Sequence, residues 1–321
     1  MCHNFSAMNP TQFLLRRLSL ACVLAGLLAG TYLWARPSKA SEEHDAVKLV
    51  KQGEKLNSEG KQDEAIALYQ QAMQMEPNLF DAHLAMGIAL DLQGKYDDAR
   101  VQLQKAIELA SPDQQQQAQR AIAVSYAFQQ KAGEAEKYEK QVFDARAAHE
   151  DFSGAGEIGD EMGRIALESG DLDNAYKWYQ IGYQTALRKP SLDESYKNLW
   201  EFRWAHAQAR IAARRGNAEE ANKEVAAAKV ALEKAKNPQQ DRFYPYLTGY
   251  VAFYLGDYKT AIADLQTADQ HDPFVLALLG EAYEKSGDKD QAMDCYRKVM
   301  TFNNHNPGNA FARPLARKKL G

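Results

Sequence analysis

A glycine followed five residues later by an alanine recurs six times in this 321-residue chain: Gly60/Ala65, Gly94/Ala99, Gly170/Ala175, Gly216/Ala221, Gly256/Ala261 and Gly287/Ala292. Twelve places before each alanine sits another small residue: Gly53, Gly87, Gly163, Ala209, Gly249 and Gly280. Four places after it comes Tyr69, Leu103, Tyr179, Val225, Leu265 or Tyr296, and seven after it Ala72, Ala106, Gly182, Ala228, Ala268 or Val299. This pattern predicts a helical hairpin. The first small residue lets a neighbouring helix approach the middle of helix A, and the glycine ends helix A in the left-handed conformation that helix termini favour. The alanine opens the buried stripe of helix B, whose partners four and seven residues on share its face. Pro77, Pro112 and Pro273 close three of the units, since proline has no amide hydrogen to donate. The chain is otherwise rich in Ala, Gln, Glu and Lys, all of which lose little rotamer freedom in a helix.

These residues resemble the tetratricopeptide-repeat (TPR) family, a helix-turn-helix of about 34 residues with small residues at its close contacts. Seven units are expected, near 46–79, 80–113, 116–150, 156–190, 202–236, 242–272 and 273–306. The third, with Ala123 and Ala135, departs from the pattern: Gln130 replaces the turn glycine and Glu139 falls where a core aromatic is expected. The resemblance implies an all-α, right-handed superhelix over 41–308, followed by a capping helix and basic tail at 309–321. Arg313, Arg317, Lys318 and Lys319 suit a solvated last face. It also implies a concave channel lined by the first helices, where the family binds extended peptides or partner helices.

The first 40 residues read as an address. Arg16-Arg17 precede an apolar run from Leu18 to Ala35, and Ser38-Lys39-Ala40 offers a cleavage site before Ser41. A cleaved signal peptide and an uncleaved membrane anchor through 18–35 are both compatible with that run, which is slightly shorter than the roughly 20 residues that span a bilayer. The basic flank holds the amino end inside, so the body faces outward. It is then periplasmic or secreted after cleavage, or tethered to the inner membrane by the uncleaved helix. Lipobox and twin-arginine readings, at Cys22 and at Arg16-Arg17, fit the flanking residues less well.

The chain carries 39 basic and 43 acidic residues; without Arg16, Arg17, Arg36 and Lys39 the balance is 35 against 43. An acidic body argues against general nucleic-acid binding, which rewards phosphate neutralisation. Past the leading segment Cys295 is the one cysteine, too few for an internal disulfide or a cysteine-based zinc site. The seven histidines never fall three or four residues apart, as ligands sharing a helix turn would. Gly154, Gly156 and Gly159 spell G-x-G-x-x-G, but no strand pattern precedes them, so they are expected to form a flexible, hinge-like connection between the third and fourth repeats. No cofactor, metal site or catalytic constellation is expected, and the chain reads as non-enzymatic.

The groove supplies the candidate site. Arg203, Arg210 and Arg214 fall within about 20° of one line on a helix. Phe243, Tyr246, Tyr250, Phe253 and Tyr254 form an aromatic stripe in the next unit. By the resemblance both sets line the concave side, where arginine clamps carboxylates and aromatics give flat contact area. The other reading is solvated arginines and aromatics packed between repeats. The Lys and Asn clamp that some family members use for acidic chaperone tails is missing, because Val50 and Glu54 hold those places. The expected function is a protein-binding scaffold in the cell envelope; the alternative is a structural subunit of an envelope machine of pilus or outer-membrane assembly type.

Overall fold

Every first helix but one stops on a glycine of positive φ: 82° at Gly60, 87° at Gly94, 90° at Gly170, 73° at Gly216, 86° at Gly256 and 87° at Gly287. In the remaining unit Gln130 takes the same conformation, with φ 56°. At Gly94 the turn is closed by Gly94 N–H to Asp91 O and Lys95 N–H to Leu90 O, both 2.9 Å. Gln130 and Lys131 repeat that pair, to Ala127 O at 2.9 Å and Tyr126 O at 3.1 Å. The side chain at 130 therefore sits where only the absence of a Cβ is free of steric cost.

The computed structural model describes residues 39–321, and among them there are fifteen α-helices and no strand. The hairpins are α1 (Lys39–Ser58) with α2 (Gln62–Met75), α3 (Phe80–Gln93) with α4 (Tyr96–Leu109), and α5 (Gln115–Ala127) with α6 (Ala132–Ala148). They continue as α7 (Phe152–Glu168) with α8 (Leu172–Ala186), and α9 (Glu194–Arg214) with α10 (Ala218–Ala235). The last two are α11 (Phe243–Tyr254) with α12 (Tyr258–Thr267), and α13 (Pro273–Ser286) with α14 (Lys289–Val299); α15 (Pro307–Leu320) ends the chain. Residues 1–38, including the apolar run and its candidate cleavage site, lie outside the described residues. Among the described residues no helix is long and apolar enough to cross a membrane.

The close contacts are those the spacing demands. A Cβ on Gly163 would lie 2.7 Å from the Tyr179 ring, one on Gly249 2.7 Å from Leu265 Cγ, and one on Gly280 2.7 Å from the Tyr296 ring. Gly53 meets Tyr69 and Gly87 meets Leu103 in the same way. Ala65, Ala99, Ala175, Ala209, Ala221, Ala261 and Ala292 are fully buried. From the fourth hairpin on, the residue after the turn glycine, or soon after it, also starts the second helix. Asp171, Asn217, Asp257 and Asp288 each accept from a backbone N–H three residues ahead. The first three hairpins have Lys61, Lys95 and Lys131 there and no side-chain cap. Pro273 opens α13 rather than closing α12, with Asp272 as its N-cap.

Two expectations are corrected. Gly154, Gly156 and Gly159 form no flexible connection: all three are buried inside α7. Gly156 and Gly159 are small because α8 presses on them, so that a Cβ on Gly159 would meet Gly182 Cα at 2.6 Å and one on Gly156 would meet Ala186 Cβ at 2.7 Å; Gly154 instead faces the side chains of Asp151 and Arg146. Likewise α15 is no solvated cap. It packs on α13, α14, α5 and α7, and its Ala310, Phe311, Ala312 and Ala316 join Leu92, Val124, Ile165 and Leu276 in the main core. Arg313 and Arg317 turn inward, both donating to Leu92 O at the end of α3, at 2.9 and 2.7 Å. Cations suit that place, where helix carbonyls lack partners. Burial, with Arg317 beside it, pulls the Arg313 guanidinium down to about 10, which leaves it charged at neutral pH.

The segment ahead of α15 ties the same ends together. Gln62 Nε2 donates to Asn303 Oδ1 at 2.9 Å, and Asn303 Nδ2 donates to Ser58 O at 3.2 Å. His305 Nε2 lies 2.9 Å from Asp91 Oδ2, whose other oxygen accepts from Ser125 Oγ at 2.8 Å. The last helix thus lies against the first helices of hairpins two, three, four and seven.

Candidate functional site: the concave cavity of hairpins four to six

Three neighbouring first helices each present one polar face. On α7 the residues are Asp160, Arg164 and Glu168, four apart. On α9 they are Arg203, His206, Arg210 and Arg214, and on α11 Phe243, Tyr246, Tyr250 and Tyr254, each set spaced three, four and four. Such spacings keep side chains in one row along a helix. Because first helices adjoin, the rows interlock.

The inner end of this face is a closed network. Glu168 is buried and receives Arg214 Nη1 at 3.3 Å and Tyr250 Oη at 3.3 Å, with Arg210 Nη1 at 4.0 Å. Arg214 also donates to Tyr250 and Tyr254 hydroxyls at 3.3 and 3.2 Å, and Arg210 donates to the Tyr179 hydroxyl at 2.9 Å. Burial pushes the Glu168 carboxyl above its ordinary range, while Arg210, Arg214 and Arg164 act the other way. Truncating one partner of such a buried pair costs roughly 3–5 kcal/mol, because the other charge is stranded.

The outer end opens into a cavity of about 410 Å³. Its walls come from α5, α7, α8, α9, α11 and α13 and from Pro307 at the start of α15. Five arginines line it, and three are engaged. Arg120 lies 2.6 Å from Glu161 and Arg242 3.3 Å from Asp269, while Arg210 belongs to the network. Arg203 and Arg164 each make only a long approach to a carboxylate, 3.8 Å to Asp160 and 3.8 Å to Asp272, and of the two it is Arg164 whose Nε and Nη2 are buried without a partner. Burial raises Asp160 to about 7 against the opposing pull of Arg203 and Arg210. Burial, then the charges of Arg210 and Arg164, pulls His206 well below the usual imidazole value, so it is neutral.

Of the residues singled out in the sequence, Arg203, Arg210, Phe243 and Tyr246 line the cavity. Arg214, Tyr250 and Tyr254 belong to the interior network, and Tyr250 is fully buried. Phe253 packs edge-on against Tyr254 and Tyr258 of its own hairpin and joins Ala282 of the next in a small core cluster. Asp160, Arg164, His206 and Asp272 were missed. The four-residue spacing along α7 carries a signal, but it starts directly after Gly154, Gly156 and Gly159, which look like a connection. Among the described residues no three His, Cys, Asp or Glu side chains are grouped to hold a metal ion. Cys295 is buried and free, and burial raises its thiol.

The profile described as "TPR repeat" matches residues 53–91, and the one described as "Tetratricopeptide repeat" matches 275–306. No curated protein sequence matches the chain. Among solved structures, a tetratricopeptide repeat protein from Parabacteroides merdae ATCC 43184 is similar at 14% identity over 87% of this chain and 100% of its own, TM-score 0.49. Pseudomonas aeruginosa pilF is similar at 13% identity over 78% of this chain and 97% of its own, TM-score 0.46. With six of seven hairpins turned on positive-φ glycines, small residues at the close contacts and repeat profiles matching near both ends of the array, the chain carries tetratricopeptide repeats.

Proposed function

We propose that this protein is a non-catalytic scaffold that holds a protein or peptide partner on the concave side of hairpins four to six, in the cell envelope. One observation carries the site assignment. Helix α15 covers the concave surface beside α3, α5 and α13, whereas the cavity bounded by α7, α9 and α11 stays open and carries aromatic rings beside guanidinium groups. Those two side-chain types dominate the energetics of protein interfaces. The envelope part rests on Arg16-Arg17, the apolar run 18–35 and the small residues before Ser41; the mass of the mature amino terminus tests it.

The site is tested by photo-crosslinking in cells. A benzophenone residue placed at Phe243, in the cavity wall, is expected to capture a partner. The same residue at Val101, which is 65% exposed on α4, is expected to capture none. Equal capture at both positions, or capture at Val101 alone, removes the concave cavity from consideration.

A further inference from the structure

Four polar atoms around the cavity are buried without a hydrogen-bond partner: Arg164 Nε and Nη2, His206 Nε2 and Tyr246 Oη. His206 is 9% exposed and Tyr246 7%, and both line the cavity with Arg164. The three side chains are close together. The His206 and Tyr246 rings are 5.6 Å apart, and the Arg164 guanidinium and the Tyr246 ring both lie against Phe274, at 5.3 and 6.3 Å. Buried polar groups in folded proteins are nearly always satisfied, so a cluster of orphans around one cavity calls for a partner there. Asp272 does not supply it. Its Oδ1 is committed to the N–H of Phe274 at 2.8 Å, which holds the other oxygen 3.8 Å from Arg164.

We infer that this cavity is a binding site for a monocarboxylic acid with an apolar body, either a small molecule or the carboxyl end of the partner proposed above, in which case it rests on that reading. The Arg164 side chain keeps 29% of its surface exposed while lining the cavity. A modest turn about its terminal torsion presents two parallel N–H groups to one carboxylate, the pairing for which arginine is shaped. The Tyr246 hydroxyl supplies a third donor beside it. Helix α15 begins at the cavity wall with Pro307, so its positive dipole end adds to the same potential. Phe202, Phe243 and Val275 provide the apolar wall. Five carboxylates line the cavity beside the five arginines, and with Asp160 raised by burial to about 7 its protonation leaves at most one surplus positive charge, enough for a monoanion and too little for a dianionic phosphate. The volume, about 410 Å³, lies in the small-molecule range.

The acid can be a free metabolite-sized molecule or the carboxyl end of a peptide, and calorimetric titration of the full-length protein separates these sources. The probes are phenylacetate, phenylacetamide, inorganic phosphate, and acetyl-Ala-Ala-Phe as its free acid and as its amide. Phenylacetate is expected to bind at least about tenfold more tightly than phenylacetamide, the scale of one charge-assisted hydrogen bond. Arg164→Gln is expected to erase that preference, and Tyr246→Phe to reduce it about fivefold. If the peptide acid outbinds phenylacetate, the source is a chain terminus; if it does not, the source is a free acid. The inference is overturned if acid and amide bind equally, if phosphate binds more tightly than phenylacetate, or if neither acid binds by about 10 mM. The acid and amide comparison uses the unaltered protein, so a variant that fails to fold leaves it intact. An acid-independent peptide affinity would overturn this site while leaving the scaffold reading standing.

Discussion

Replacing Glu139 by leucine should make the protein more stable, and more so at alkaline than at acidic pH. In six hairpins the residue four after the key alanine is Tyr69, Leu103, Tyr179, Val225, Leu265 or Tyr296. In the third hairpin it is Glu139, fully buried, with both carboxyl oxygens unpartnered. Burial, with Glu161 adding to it, drives the carboxyl well above its usual range, although Arg120 and Arg146 oppose this. A raised carboxyl pKa in the folded state favours folding fully below the unfolded value near 4.5. That contribution is lost as pH rises through the folded value. Stranding one polar group costs about 1–3 kcal/mol, and replacing a buried charge with a well-packed apolar residue gains about 1–4 kcal/mol. Leucine must also fit against Ala123 rather than a glycine, so the expected net gain at pH 8 is about 2 kcal/mol. That corresponds to roughly 3 °C in melting temperature for a chain of this size. Urea unfolding at pH 5 and pH 8, with Glu139→Gln as the polar isostere, reads it out. A lowered urea midpoint for Glu139→Leu at both pH values would refute the reasoning, since it would mean the carboxylate has a partner worth keeping.

Three further outcomes are expected. Gln130→Gly, at φ 56°, should raise stability by about 1 kcal/mol in a urea melt, because glycine is free of the left-handed penalty. Gly249→Ala, whose new methyl would sit 2.7 Å from Leu265 Cγ, should lower stability by about 1–3 kcal/mol. Arg313→Met, which removes donors to Leu92 O, Met300 O and Phe302 O, should cost about 2–4 kcal/mol and speed amide exchange at the end of α3.

The hairpins were legible because each is specified locally. The glycine that stops a helix and the alanine that packs the next lie within one turn and one strip of surface, so spacing alone finds them. Even Gln130 and Glu139 were located correctly by position, although only coordinates show that Gln130 adopts the glycine conformation and that Glu139 stays buried. The misreadings have a common physical origin. Gly156 and Gly159 are small because of Gly182 and Ala186 on the facing helix, and without that helix three glycines look like a linker. Arg313 and Arg317 look solvated until Leu92 O arrives from more than two hundred residues away. In the cavity, the row Arg203, Arg210, Phe243 and Tyr246 could be read from helical periodicity. The separation of Arg164 from its paired neighbours depends on how far Asp272 reaches, which no spacing encodes.

The return of α15 to the second hairpin changes what kind of object this array is. Stacked repeats normally interact only with adjacent units, so they can fray from an end or stretch like a spring. Here the hydrogen bond from Arg313 to Leu92 closes a loop of 221 residues. Drawing together chain ends that far apart costs about 5 kcal/mol of conformational entropy, all of it incurred before the clasp forms. Once fastened, the clasp fixes the pitch of the coil and joins late repeats to early ones, so unfolding must break the body as a whole rather than peel it hairpin by hairpin.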